Sequence, residues 1–108
     1  MAQKKRKNRT KSYDAFLQEQ LCDPELAAEY LSAAVQDGTL EGFLVALKNV
    51  AEAHGGIGVL SKVTHLNRQS MYKMFSENGN PTVSSLLTVL DALGIDLSFA
   101  PQERKAAC

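Results

Sequence analysis

The chain has 108 residues, with 12 Lys and Arg against 12 Asp and Glu and a formal net charge of zero at pH 7. That length suits one domain with a single modest core. No apolar run approaches the ~20 residues of a membrane span, and none follows the basic start as a secretory signal would, so a soluble, cytoplasmic protein is expected. Cys22 and Cys108 are far apart and lack paired spacing; with two such thiols neither a zinc site nor a disulfide framework is supported, and no metal or cofactor is expected.

Charge is unevenly placed. Residues 1–11 hold Lys4, Lys5, Arg6, Lys7, Arg9 and Lys11 and no acid, which leaves six basic against twelve acidic side chains over residues 12–108. The chain reads as a disordered basic arm on an acidic body. Such runs often bind nucleic acid or another polyanion; the alternative is a solubilising tail. The run also resembles a nuclear-localisation cluster, a match that is cheap.

Along the chain, Tyr13, Phe16, Leu17 and Leu21 recur at helical spacing in a short amphipathic segment over residues 12–21. Asp23-Pro24-Glu25 then restarts the chain, with Asp as N-cap, Pro at the first helical position and an acid in the first turn. The helix that follows should bury Leu26, Ala27, Tyr30, Leu31 and Ala34 and stop at Gly38. Residues 40–54 form the longest clear helix, with Phe43, Leu44, Leu47, Val50 and Ala51 inward. Gly55-Gly56 closes it.

Residues 57–76, IGVLSKVTHLNRQSMYKMFS, read as two short helices around a bend. Ile57, Leu60 and Val63 give the first an apolar face. Asn67 offers a side-chain oxygen to the free N–H groups that open the second, as N-cap residues do. There Met71, Met74 and Phe75 share one face, while Arg68, Gln69, Tyr72 and Lys73 fall mostly on the other. Bidentate donors, a point charge and an aromatic hydroxyl are the groups that read base edges and phosphates, and two short helices with the second polar outward are the helix-turn-helix arrangement. An ordinary solvated face of an amphipathic hairpin is the plainer reading of the same pattern.

Residues 77–81 are dense in turn formers. A last helix, capped by Thr82 or the residue before it, should bury Val83, Leu86, Leu87, Leu90 and Leu93 and stop at Gly94. Ile95-Asp96-Leu97-Ser98-Phe99 then alternates apolar and polar, the period of a half-buried strand. No other stretch reads as its partner, so it either pairs with another chain through Ile95, Leu97 and Phe99 or lies as an extended tail across its own core. The expected architecture is therefore all-α. It is a compact bundle of about five helices around a central helix-turn-helix, with a short C-terminal strand. A disordered arm (1–11) precedes a domain over 12–100, made of a helical extension (12–37), a repressor-like core (40–94) and a dimerisation strand (95–99); 101–108 is a flexible tail.

The stretch from Tyr13 to Phe99 resembles the addiction-module antidote proteins, HigA-type antitoxins with a phage-repressor-like (XRE/Cro-CI, lambda-repressor-like) helix-turn-helix. The likeness rests on Leu21, Asp23, Pro24 and Glu25, on Tyr30-Leu31, on Val50-Ala51-Glu52-Ala53 with its Gly pair, and most sharply on Ser76-Glu77-Asn78-Gly79-Asn80-Pro81. The resemblance implies a small helical repressor, usually dimeric. It also implies binding to the promoter of its own two-gene operon and neutralisation of a toxin resembling the RelE/HigB ribonucleases, with no catalysis by the antidote itself. Two positions depart from the usual helix-turn-helix pattern: Ser61 stands where Ala is normal, and His65 where Gly is frequent.

On this reading Asn67 caps a recognition helix whose N-terminus enters the groove. Arg68, Gln69 and Lys73 touch bases or nearby phosphates, Tyr72 and Ser70 are further candidates, and Lys62 is placed for backbone contact. Phosphate contacts give affinity and base contacts give specificity. A dimer would read a palindromic operator with half-sites ~34 Å apart, and an acidic body suits a basic toxin because opposite fields steer association. The toxin surface is not visible; the N-terminal segment Tyr13–Leu31 is the one favoured. Two His, no ligand cluster and a glycine run without a preceding strand make an enzyme a poor fit; His54 reads as a helix C-terminal residue favoured by the dipole. The remaining alternatives are a helical interaction module that does not bind DNA and a stand-alone helix-turn-helix regulator without a toxin.

Overall fold

The computed structural model describes residue 13 and residues 15–102; the expected basic arm and most of the expected tail lie outside these. The described residues form six helices: α1 (residues 15–21), α2 (Pro24–Gln36), α3 (Leu40–Ala53), α4 (Ile57–Thr64), α5 (Arg68–Met74) and α6 (Val83–Ala92). Local chemistry explains where they start. Each of α2, α3, α5 and α6 begins after a side-chain cap: Asp23 accepts from the N–H of Glu25, Thr39 from Gly42, Asn67 from Gln69 and Ser70, and Thr82 from Ser85. Such caps satisfy donors that the first turn leaves free.

Between α3 and α4 only three residues intervene, and Gly55 (φ 108°) and Gly56 (φ 92°) are two of them. The Gly56 N–H returns to the carbonyl of Ala51 at 2.9 Å. Residues with a Cβ avoid this backbone region, so the glycine pair lets the chain stop one helix and begin another in so short a space.

One core joins all the elements. It is built from Leu21, Ala27 and Leu31, from Ala46, Leu47, Val50 and Ala51, from Ile57 and Leu60, from Met71, Met74 and Phe75, and from Val89, Leu90, Leu93 and Ile95. α2 packs most extensively on α3, while α4 touches α3, α5 and α6. Three further ties hold the N-terminal part of the chain to α3 and its C-cap. The Tyr30 hydroxyl accepts from the Asn49 amide at 2.9 Å. At the far end the C-cap His54 places Nε2 3.2 Å from the carbonyl of Leu21; a carbonyl only accepts, so Nε2 carries the proton. The Cys22 thiol donates to the Ala53 carbonyl at 3.2 Å and forms no disulfide. No helix among the described residues is long and apolar enough to cross a membrane.

Several expected core positions are corrected. Val63 is exposed because six residues on from Ile57 the helix has turned well off the buried face; Ser61 and Thr64 occupy that face instead, half-buried. In α6 the buried stripe runs through Val89, Leu90 and Leu93, with Val83 and Leu87 out in solvent. Leu26 is also not buried, at 37% exposed. The expected C-terminal strand is absent: the described residues contain no strand, and residues 95–102 form no regular element. A ladder needs a second strand alongside, and the described residues offer none.

Candidate nucleic-acid interface

α5 is organised by its cap and its two faces. The Asn67 carboxamide oxygen accepts from the N–H groups of Gln69 (2.7 Å) and Ser70 (3.2 Å). Met71 and Met74 anchor one side in the core, whereas Arg68, Gln69, Ser70, Tyr72 and Lys73 are all exposed. The candidate residues on α5 therefore share a solvent-facing surface held on a fixed helix. Lys62 is exposed in the last turn of α4.

The turn between α4 and α5 is three residues long, and it is tied by side chains. His65 has φ 62° and ψ 17°, in the left-handed region, so this is the backbone conformation for which Gly is the more usual occupant. His is among the residues that tolerate it. The Ser61 hydroxyl donates to the Leu66 carbonyl at 2.8 Å. The Thr64 hydroxyl donates to the Leu60 carbonyl at 2.7 Å and accepts from the Leu66 N–H at 3.2 Å. Ser61 thus does more than fit where Ala would: it fixes the carbonyl that precedes the Asn67 cap.

Two features escaped the sequence reading. Arg68 does not project freely from α5, because its guanidinium lies across Gly58 of α4, where an added methyl would come within 2.7 Å of Nη2. Ser70 and Lys73 also border a cleft of about 400 Å³ with Asn78, Asn80, Thr82 and Ser85, between α5 and the start of α6. Gly79 permits that loop, since a methyl there would overlap the Met74 carbonyl oxygen. The dense turn residues of 77–81 were a visible signal, but nothing in them said that they would lie beside Lys73.

The electrostatics divide cleanly along the chain. From residue 53 to residue 76 there is no acid, and Lys62, Arg68 and Lys73 are the charged residues. Residues 15–52 carry Glu19, Asp23, Glu25, Glu29, Asp37, Glu41 and Glu52 against Lys48 alone, and residues 77–102 carry three acids and no Lys or Arg. The α4–α5 pair is therefore a positive segment on an otherwise negative body. Among the described residues no group of His, Cys, Asp and Glu is arranged to hold a metal ion.

Among the described residues the regular elements are all helices, and one of them, α5, presents a capped, polar and locally basic face to solvent. The chain belongs to the family of probable addiction module antidote proteins, whose model matches residues 9–101. An uncharacterized protein of Haemophilus influenzae is 30% identical over 94 residues, covering 87% of this chain and 94% of its own length. No solved structure matches the chain significantly. The family suggests a non-enzymatic regulatory protein, and it implies a toxin partner of some kind.

Proposed function

We propose that this chain is the antitoxin of a type II toxin–antitoxin module and represses its own operon. In this reading it is a HigA-type, XRE-like protein that binds a palindromic operator as a homodimer and neutralises a RelE/HigB-like ribonuclease. The observation that carries the DNA-binding half is the acid-free stretch from residue 53 to residue 76, with Lys62, Arg68 and Lys73 beside the exposed, capped face of α5. A duplex is a dense polyanion, so a locally positive helix on a negative body orients the approach and leaves the acidic surfaces outward. Arg68 and Gln69 have the donors for base edges; Lys62 and Lys73 are point charges for phosphates. Asn78, Asn80 and Ser85 add neutral donors beside Lys73.

The acidic α1–α3 surface supports the second half of the reading, because it complements a basic RNA-cleaving partner. Tyr13 and Phe16 stand exposed there at 62% and 56%.

A gel shift on the DNA upstream of the chain's own gene, beside a scrambled duplex and titrated with salt, tests the proposal. Sequence-dependent binding that weakens steeply with salt is expected. Equal affinity for both duplexes would reduce Arg68, Gln69 and Lys73 to a solvated face and leave a protein-interaction module.

A further inference from the structure

We propose that the groove between α2, the start of α3 and residues 95–102 docks a basic, amphipathic segment of the toxin. Apolar side chains of that segment enter the groove, and its Lys and Arg meet the acidic rim. The inference rests on the antitoxin reading above and adds a contact to the α1 surface named there.

The floor is apolar and uncovered. The groove has a volume of about 520 Å³ and is lined by Leu31, Val35, Phe43, Ile95 and Leu97, with Asp96 as its one charged side chain. Leu31 and Ile95 belong to the core, so the floor is held in place. Val35 and Leu97 stand at 56% and 51% exposed, and Phe99, two residues on, at 92%. Apolar side chains gathered at one concavity, rather than scattered singly, mark a surface that another molecule covers.

The surroundings are acidic. Residues 24–43 hold Glu25, Glu29, Asp37 and Glu41, residues 95–102 hold Asp96, and neither stretch has a Lys, Arg or His. All of these carboxylates are exposed. Glu25 and Glu29 come three residues before Ala28 and Ser32, which both border the groove, so they share that side of α2.

These charges select the occupant. A nucleic acid is a polyanion and is repelled. A two-fold contact uses one patch twice, so a second copy would bring the same carboxylates against their own likeness, and such juxtaposition is unfavourable. The chain's own residues 1–11 are cationic, but Met1 and Ala2 are their only apolar side chains, too little to fill the floor. What fits is a partner with apolar side chains flanked by cations. The family implies a toxin partner, and helix-in-groove recognition gives such a segment its form. Anchors at i, i+3 or i+4 and i+7 point down, while the flanking cations speed encounter.

The test uses the full chain and the product of the gene beside its own, measured by surface plasmon resonance over a range of salt. Val35→Lys puts a cation in place of an apolar wall and should weaken binding at least tenfold; Val35→Leu should bind as the unaltered chain does. Asp96→Lys should slow association several-fold and change dissociation little, and the difference should shrink as salt rises. In all three variants the helical circular dichroism should be unchanged and binding to the upstream DNA should not fall, which separates a lost contact from lost folding. If the unaltered chain binds the neighbouring product and Val35→Lys binds it equally well, the groove falls and the antitoxin reading stands. Loss in Val35→Lys with no effect of Asp96→Lys on association overturns the basic character of the segment. A dimer that Val35→Lys converts to a monomer, with binding of the product unaltered, assigns the groove to a second copy and overturns the inference. No binding of the product to the unaltered chain removes both the inference and the toxin half of the reading.

Discussion

The guanidinium of Arg68 lies across Gly58, so close that a methyl at position 58 would stand 2.7 Å from Nη2. Gly58 of α4 thus leaves the space in which a side chain from α5 rests. The effect of Gly58→Ala should then separate from its effect on stability. Ala in a helix is favoured over Gly by about 0.5–1 kcal/mol, so the unfolding midpoint should hold or rise. Operator binding, read by fluorescence anisotropy, should fall by less than on Arg68→Ala, for which about 1–3 kcal/mol is expected of a base-reading Arg, because the guanidinium ends a flexible, exposed side chain that can shift. If Gly58→Ala binds as the unaltered protein does while Arg68→Ala loses affinity, the space at Gly58 does not hold Arg68 in place.

The turn that sets α5 against α4 gives a second pair of expectations with opposite signs. Ser61→Ala restores the residue more usual in a helix-turn-helix, yet here it removes the donor to the Leu66 carbonyl. A loss of about 0.5–1.5 kcal/mol is expected for one such hydrogen bond. His65→Gly should do the reverse and stabilise by about 0.5–1 kcal/mol, because the left-handed backbone at φ 62° strains residues with a Cβ. Urea denaturation of the two variants decides this, and a Ser61→Ala midpoint at or above the original would show that the hydrogen bond contributes nothing.

These details mark what was legible. Caps are local, and Asp23 and Asn67 could be placed from sequence, and the last cap to Thr82 or the residue before it, because a short polar side chain before an apolar period has few other uses. Element order followed from the same cues, and the strained position of His65 followed from the resemblance. The buried faces were less secure: Val63 and Leu87 were misplaced because a stripe read over two turns leaves its phase uncertain, and neighbours decide it. Val89, fully buried, went unnoticed for the same reason. The positions of Arg68 over Gly58, and of Asn78 and Asn80 beside Lys73, join residues from different elements, so no local pattern could carry them. The acid-free window was in plain view, but its meaning came only when α4 and α5 were seen to share one exposed unit.

Gly79 offers a sterically sharper case. Its φ is not positive, so conformational freedom is not what the position demands. The demand is space, because any Cβ would overlap the Met74 carbonyl. Gly79→Ala must therefore push the loop away from the end of α5 and loosen the N–H bond it makes to Ser76 at 2.9 Å. A destabilisation of about 1–3 kcal/mol is expected, the usual cost of forcing extra volume into a packed site. A thermal midpoint within one degree or so of the original would mean that the loop relaxes freely and that the cleft beside Lys73 is not a fixed feature.

The last expectation concerns α1. Of its apolar stripe only Leu21 is buried and Leu17 partly so, while Tyr13 and Phe16 remain in water. Covering an aromatic side chain on binding can contribute a few kcal/mol, and side chains exposed in the free protein can be removed with little effect on folding. Phe16→Ala should therefore leave the denaturation curve within about 0.5 kcal/mol of the original and leave operator affinity unchanged. Affinity for the cognate toxin, by isothermal titration calorimetry, should drop at least tenfold, or about 1.4 kcal/mol. Charge reversal at Glu19 and Glu25 should slow toxin association more than it speeds dissociation, since rim charges act on encounter. Unaltered toxin binding in both variants would move the toxin interface off α1 and the start of α2.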